Sequence, residues 1–369
     1  MTLRAGFIGY GFMGKAHANA LARLPMFFPD VPAVERHMLC GRNEERVEAA
    51  ADRFGFTHTT DDWETLVESV DVVYNLGPNG LHADPSIAAL ERDVHVLCEK
   101  PLASTLEDAE RMVEAARDSD AVAACAFNYR YVPALRLAKD LIDRGALGDV
   151  RHVRGSYLGD WQADADHPWT WRNDADLAGY GQVADVGSHT IDLVRWLVGG
   201  IDDVSGRLAT QVEERPAPDG DGTRPVTTDD AYVATVSFES GAIGVLEGSS
   251  VATGHKASNT VEVIGSDGAI RFDLERLNEL EVHDADGRGY ERILVTDEDD
   301  PYGDRWWPAG HAIGWEHTVV HENYEFCRAI AGDGGDVVPF SEAFEVLRIV
   351  DALVESDARG ERRSLHVDD

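Results

Sequence analysis

Leu3-Arg4-Ala5-Gly6-Phe7-Ile8-Gly9-Tyr10-Gly11-Phe12-Met13-Gly14-Lys15-Ala16-His17 decides the fold. A short apolar run feeds directly into G-x-G-x-x-G, and a helix-forming stretch follows. In that setting Gly9 makes the tight turn, Gly11 lets the backbone approach a pyrophosphate, and Gly14 lets helix and strand pack closely. The helix then presents unpaired N–H groups and partial positive charge, with Phe12 and Met13 in its first turn. Lys15 and His17 follow on that turn, and Lys15 is placed to add charge for a phosphate. The motif predicts a dinucleotide-binding fold; a structural glycine turn is the alternative.

Working outward, Arg36–Cys40 reads as a second strand ending at Gly41-Arg42-Asn43. A dinucleotide fold usually places an acid here for the ribose 2′-hydroxyl of NAD. Glycine makes room for a 2′-phosphate and arginine can pair with it, so Gly41 and Arg42 predict NADP ahead of NAD. A solvated Arg42, with the alignment one residue off, is the other reading. Pro25, Pro29 and Pro32 argue against a continuous helix there and predict a loop, covering an edge or reaching the cofactor's adenosine half, with core filling as the alternative. Asp71–Leu76 is a strand ending at Gly77-Pro78-Asn79-Gly80-Leu81-His82, where Pro78, Asn79 and His82 are expected at the nicotinamide half. His95–Cys98 is a strand ending in Glu99-Lys100-Pro101. A lysine at the carboxyl end of a parallel strand sits where open α/β sheets bind ligands, and its X-Pro bond is a candidate for cis. Val122–Phe127 is a sixth strand, followed by Asn128-Tyr129-Arg130. This alternation predicts an α/β doubly wound parallel sheet over 1–127.

From 128 to 369 the pattern predicts a second, α+β domain with a large, mostly antiparallel open sheet, one face left for helices or another subunit. Trp161, Trp169, Trp171 and Arg172 crowd an aspartate-rich loop, where tryptophans are either buried or lining a ligand. Their faces suit the C–H faces of sugar rings. Asp185 and His189, four apart, share a helical face. That pair reads as acid/base machinery, as two of a metal's ligands with no third evident, or as a helix-start aspartate beside an ordinary histidine. Pro301–Pro308 forms a second aromatic loop.

The net charge is −35, from 68 acidic and 33 basic residues, only four of the latter lysines. Nucleic acid and anionic membranes both need a basic face, so neither is expected as a partner. Acids spread along the whole chain suit high salt, where repulsion is screened within about 3 Å at 1 M, and predict a halophilic protein. Cys40, Cys98, Cys125 and Cys327 are widely spaced and imply neither disulfides nor a metal site. No apolar run reaches the ~18 residues of a membrane span and no signal peptide is evident, which predicts a cytoplasmic protein.

GYGFMGKAHANA from Gly9, CEKP from Cys98 and GYGQVADVGSHTID from Gly179 resemble, in that order, the glucose-fructose oxidoreductase/inositol dehydrogenase (Gfo/Idh/MocA) family. GFMGKAH with PMFFP, AFNYR, YLGDWQAD and PYG before a WP loop resemble its levoglucosan dehydrogenase-like branch. The resemblance implies a catalytic triad of Lys100, Asp185 and His189. His189 would take the proton of a substrate hydroxyl as hydride leaves, Lys100 would hold that hydroxyl, and Asp185 would orient substrate or base. It implies cofactor contacts from the glycine loop, Pro78, Asn79, His82, Glu99 and Lys100. Substrate contacts would come from Asn128, Arg130, Trp161, Trp171 and Arg172 besides the triad. The expected enzyme is an NAD(P)-dependent dehydrogenase acting on a ring hydroxyl of a sugar, anhydro-sugar or inositol, as a homodimer or homotetramer. A redox-neutral NAD-dependent glycosidase and a sugar reductase remain open. Gly41 departs from the acid of the branch.

Overall fold

Leu3, Ala5, Phe7 and Ile8 are buried in β1 (Thr2–Ile8), as a strand covered on both faces requires. The computed structural model describes residues 2–366. β1 leads into α1 (Phe12–Phe27), then β2 (Ala33–Cys40), α2 (Glu44–Phe54), β3 (His58–Thr60), α3 (Trp63–Ser69) and β4 (Val72–Asn75). α4 (Ala83–Leu90), β5 (His95–Glu99), α5 (Leu106–Asp118) and β6 (Ala123–Ala126) complete the series. The strands form one parallel sheet in the order β3-β2-β1-β4-β5-β6. The chain reverses direction across the sheet between β1 and β4, the switch point at which such sheets take ligands.

Helix ends follow local chemistry. Asn43 caps α2 by accepting from the Arg46 N–H, and Asp62 caps α3 by accepting from Glu64 and Thr65. No continuous helix spans the proline-rich stretch, as expected, but the helix enters it. α1 runs through Pro25 to Phe27, because a proline in the last turn removes one bond without ending the helix. Phe28 is fully buried against the rings of Tyr324 and His321, and the Tyr324 hydroxyl donates to Asp30. Phe28 is therefore core packing, while Pro25, Met26, Pro29 and Asp30 are exposed.

The remaining elements are α6 (Pro133–Asp143), β7 (Val150–Leu158), α7 (Ala175–Ala178), α8 (Gln182–Asp185), α9 (Gly187–Val198), β8 (Ile201–Ala209), β9 (Glu214–Pro216) and β10 (Thr223–Pro225). β11 (Ala231–Phe238), β12 (Ile243–Ser249), β13 (Ser258–Gly265), β14 (Gly268–Asp273), β15 (Glu279–Asp284) and β16 (Glu291–Leu294) follow, then α10 (Trp315–Ala331), α11 (Phe340–Arg359) and β17 (Arg363–Ser364). Nine strands make a sheet in the order β16-β15-β14-β13-β7-β12-β11-β8-β17, antiparallel except for β7 with β12. α9 lies on one face. A Cβ on Gly155 of β7 would stand 2.6 Å from Thr190 Cγ2, so only glycine admits the helix this close. On the other face Val233 and Ile243 are more than half exposed.

The chain forms two compact units. The first runs through Tyr131 and takes in Gly314–Phe344; the second holds Val132–Ile313 and the chain from Glu345. A single boundary after residue 127 is thus too simple: α10 packs on α1 in the nucleotide-binding unit. Among the described residues no helix is long and apolar enough to cross a membrane.

Candidate active site

The glycine loop has the geometry of a phosphate cradle. Gly9 holds φ +108°, and a Cβ there would lie 2.7 Å from the Leu76 carbonyl oxygen. A Cβ on Gly14 would lie 2.8 Å from the Gly9 carbonyl oxygen. Gly11 has nothing within 4 Å of its Cβ position, so the space over it is open to a ligand. α1 starts at Phe12 without a side-chain cap, leaving its first N–H groups for an anion. These residues fit the pyrophosphate of a dinucleotide. Phe12 is exposed and stacks on Trp315, with centroids 5.2 Å apart. Lys15 and Arg42 are exposed and make no ion pair among the described residues. Gly41 lies against the Tyr10 ring, where a Cβ would fall 2.1 Å from Cε1; an acid at 41 would collide with that ring as it stands.

At the end of β5 the Lys100–Pro101 peptide is cis. Glu99 is buried, and its carboxylate accepts from the Lys100 backbone N–H at 3.3 Å and faces His17 Nε2 at 3.4 Å. Behind it runs a buried polar chain. Asn323 Nδ2 donates to the Val319 carbonyl at 2.7 Å and to His17 Nδ1 at 3.0 Å, while Asn323 Oδ1 accepts from the Tyr74 hydroxyl at 2.9 Å. A carbonyl only accepts, so the amide nitrogen must face Val319 and His17 Nδ1 must be the acceptor. The His17 proton therefore sits on Nε2, pointing at Glu99. Loss of water around the Tyr74 hydroxyl pushes its pKa well up, so it stays a donor.

His82 is a support rather than an open contact. It is fully buried, and its ring nitrogens stand 3.0 Å from the carbonyls of Pro101 and Gly77. Burial lowers its pKa, against the pull of both carbonyls and Glu99, and the ring lies between the β4 turn and the Lys100 turn. Asn128 and Arg130 also turn inward: Asn128 donates to Thr318 Oγ1 at 2.8 Å and Arg130 pairs with Glu342 at 2.8 Å. Pro78 and the buried Asn79 start a single turn of 3₁₀ helix.

In the second unit Asp185 is the last residue of α8 and His189 lies in the first turn of α9, with Val186 between the helices. The helical run expected to carry both is broken there, yet Val186 keeps right-handed helical angles. Arg172 Nε stands 3.4 Å from Asp185 Oδ2, with its guanidinium over the Trp171 ring at 4.4 Å. His189 is buried beside Tyr157, whose ring meets Trp161; the centroid separations are 6.0 and 6.4 Å. Trp161 is 39% exposed. Trp169 instead donates to the Pro225 carbonyl and lies under Arg224, which fixes it to the β10 hairpin. Thus Trp171, Arg172 and Asp185 form one set of contacts, and His189, Tyr157 and Trp161 another, with Asp185 and His189 four residues apart in the chain.

Several contributors escaped the sequence reading: Tyr74 and Asn323 behind Glu99, and Asp229, Asp230 and Arg215 behind the second cluster. Consecutive acids opening a strand were the one visible signal. His17 and Asn323 are 306 residues apart, a pairing no local pattern reveals.

A Rossmann unit with a pyrophosphate cradle, and a separate open-sheet unit carrying an Asp/His cluster, define a dinucleotide-dependent oxidoreductase. Residues 3–127 match the oxidoreductase family NAD-binding Rossmann fold, and residues 135–271 match the GFO/IDH/MocA C-terminal domain. The chain belongs to the GFO/IDH/MocA oxidoreductase family. It is 41% identical to levoglucosan dehydrogenase of Pseudarthrobacter phenanthrenivorans, over 97% of both chains. A solved levoglucosan dehydrogenase in complex with NADH and levoglucosan superposes with TM-score 0.95 at 38% identity, covering 99% of each chain. D-xylose 1-dehydrogenase (NADP(+)) 2 of Haloferax volcanii is 29% identical, over 95% of this chain and 98% of its own.

Proposed function

We propose that this enzyme oxidises a ring hydroxyl of an anhydro-sugar or pyranose, levoglucosan first among them, in the cytoplasm. The observation that carries the reading is Lys100 at the carboxyl end of β5, its N–H held by Glu99, in a sheet whose glycine loop is open for a pyrophosphate. When bound, the nicotinamide supplies the hydride acceptor. Lys100 donates to the reacting oxygen and stabilises its developing negative charge. His189 takes the hydroxyl proton, and Asp185, restrained by Arg172, orients the sugar or the base. The exposed face of Trp161 and the Trp171–Arg172 stack suit a sugar's C–H face and hydroxyls.

For the cofactor we infer NADP ahead of NAD. Gly41 has no carboxylate to repel a 2′-phosphate, and Arg42 has no ion-pair partner among the described residues. NAD is the second reading, supported by the NADH held in the similar levoglucosan dehydrogenase. The open sheet face, a trough of about 530 Å³ lined by Arg154, Val233, Val245 and Glu247, suits a second copy of the chain. Apolar and oppositely charged groups side by side suit a two-fold contact, and a dimer or tetramer by light scattering is the expected result. Reduction of NADP or NAD by levoglucosan, lost on Lys100→Met or His189→Ala, tests the assignment; turnover intact in both variants would remove it.

A further inference from the structure

Asp229 and Asp230 are consecutive, yet they grip different segments of the second unit. Asp229 Oδ1 accepts from the Gly181 N–H at 3.1 Å, and Oδ2 from the Val183 N–H at 2.8 Å. Its carbonyl accepts from the Gln182 N–H at 3.1 Å, so three successive amides end on one residue. A Cβ on Gly181 would stand 2.4 Å from Asp229 O and Oδ1, which only glycine avoids. α8, which these amides open, is four residues long, too short to hold its own geometry, and Asp185 is its last residue.

Asp230 is buried and faces the other way. Its Oδ2 accepts from the Gln211 and Val212 N–H groups at 2.8 Å, and Oδ1 lies 3.9 Å from Arg215 Nη2. Arg215 is wholly buried and donates to the carbonyls of Gln162 at 2.8 Å and Asp164 at 3.0 Å. Those carbonyls lie one and three residues after Trp161, in the same loop. The Asp230 carbonyl accepts from Ser250 N–H, and the Ser250 carbonyl accepts from Gln162 N–H, closing the same connection through the main chain.

We propose that this aspartate pair is a positioning element whose two members act separately: Asp229 sets Asp185 and His189, and Asp230 with Arg215 sets the Trp161 loop that faces the sugar. This rests on the dehydrogenase reading above. A misplaced proton acceptor loses rate, whereas a misplaced aromatic wall loses sugar affinity. Adjacent side chains therefore have opposite kinetic signatures.

The test compares wild type, Asp229→Asn, Asp230→Asn and Arg215→Lys, with Asp230→Asn standing in should Arg215→Lys not fold. Amide hydrogen exchange on the apo enzyme reads the clamp without activity. Exchange is expected to rise at 181–186 but not 160–166 in Asp229→Asn, at 160–166 but not 181–186 in Arg215→Lys, and at 211–212 and 160–166 but not 181–186 in Asp230→Asn. Steady-state kinetics with levoglucosan then read its use. Asp229→Asn is expected to lower kcat about 100-fold, the scale of a small misplacement of reacting groups, with sugar KM little changed. Arg215→Lys is expected to raise sugar KM about tenfold with kcat little changed. Both segments loosening together, or identical kinetic changes in folded variants, would overturn the proposal. A wild type that binds cofactor but reduces nothing would overturn the dehydrogenase reading instead, while the exchange data would still decide the clamp.

Discussion

Asn323→Leu replaces the amide behind Glu99 with a side chain of nearly the same shape and no polar atoms. The Tyr74 hydroxyl loses its acceptor and His17 Nδ1 its donor, both in residues with no solvent exposure. An orphaned buried polar group costs about 1–3 kcal/mol, so two cost about 2–6 kcal/mol. The apolar surface leucine adds offsets about 1–2 kcal/mol of that, leaving a net loss of about 1–4 kcal/mol. Tyr74→Phe alone should cost about 1 kcal/mol, the worth of one hydrogen bond. In the Asn323→Leu background it should instead restore stability, because the hydroxyl it deletes is already orphaned. A double-mutant cycle by urea unfolding should therefore show coupling of about 2–4 kcal/mol. Additive losses would refute the chain of bonds from Tyr74 to Glu99. So would a ¹⁵N spectrum of the wild type placing the His17 proton on Nδ1.

The pH dependence of Asp229→Asn has a definite sign. Burial, reinforced by the neighbouring Asp230 charge, pushes the Asp229 carboxyl from 3.8 up to about 7, against the pull of the Gly181 and Val183 N–H groups. Its stabilising contribution is thus full below about pH 4 and lost as pH rises through 7. The melting temperature of Asp229→Asn should gain on wild type between pH 4 and 8, with Tyr232, pushed up by burial, contributing no charge change there; a constant difference would contradict the shift. Arg42→Ala should weaken NADP binding about 10–100-fold and NAD binding little, the loss of one charge-assisted contact, measured by nucleotide fluorescence. Equal loss for both would remove Arg42 from 2′-phosphate recognition. With a net charge of −35, melting temperature should climb as KCl goes from about 0.1 to 2 M; a flat or falling curve would argue against adaptation to salt.

Local pattern carried much of this architecture. The glycine loop after β1 and the alternation of strands and helices to residue 126 are short-range signals, and the sheet order follows from them. The cis proline was also legible, because only a tertiary amide lowers the cost of cis. The prolines did exclude a continuous helix over 25–32, but α1 takes in Pro25, since a proline in the last turn removes only one helical bond. His82, Asn128 and Arg130 were expected to face ligands but turn inward. Polarity in a sequence does not tell a ligand contact from a buried support, and each of the three is satisfied by groups distant along the chain or beyond a turn. The roles of the aspartate pair and of Arg215 were hidden for the same reason: two consecutive acids before a strand are visible, but their partners are backbone amides and carbonyls, which every residue has.

The most direct measurement is absorbance at the reduced-nicotinamide band, with purified enzyme in molar KCl, NAD or NADP, and levoglucosan, glucose, xylose and myo-inositol. Reduction with levoglucosan or another ring sugar, faster with NADP and abolished by His189→Ala, is the expected result. Cofactor binding without reduction by any of the four, in a folded enzyme, would contradict the assignment as a sugar dehydrogenase.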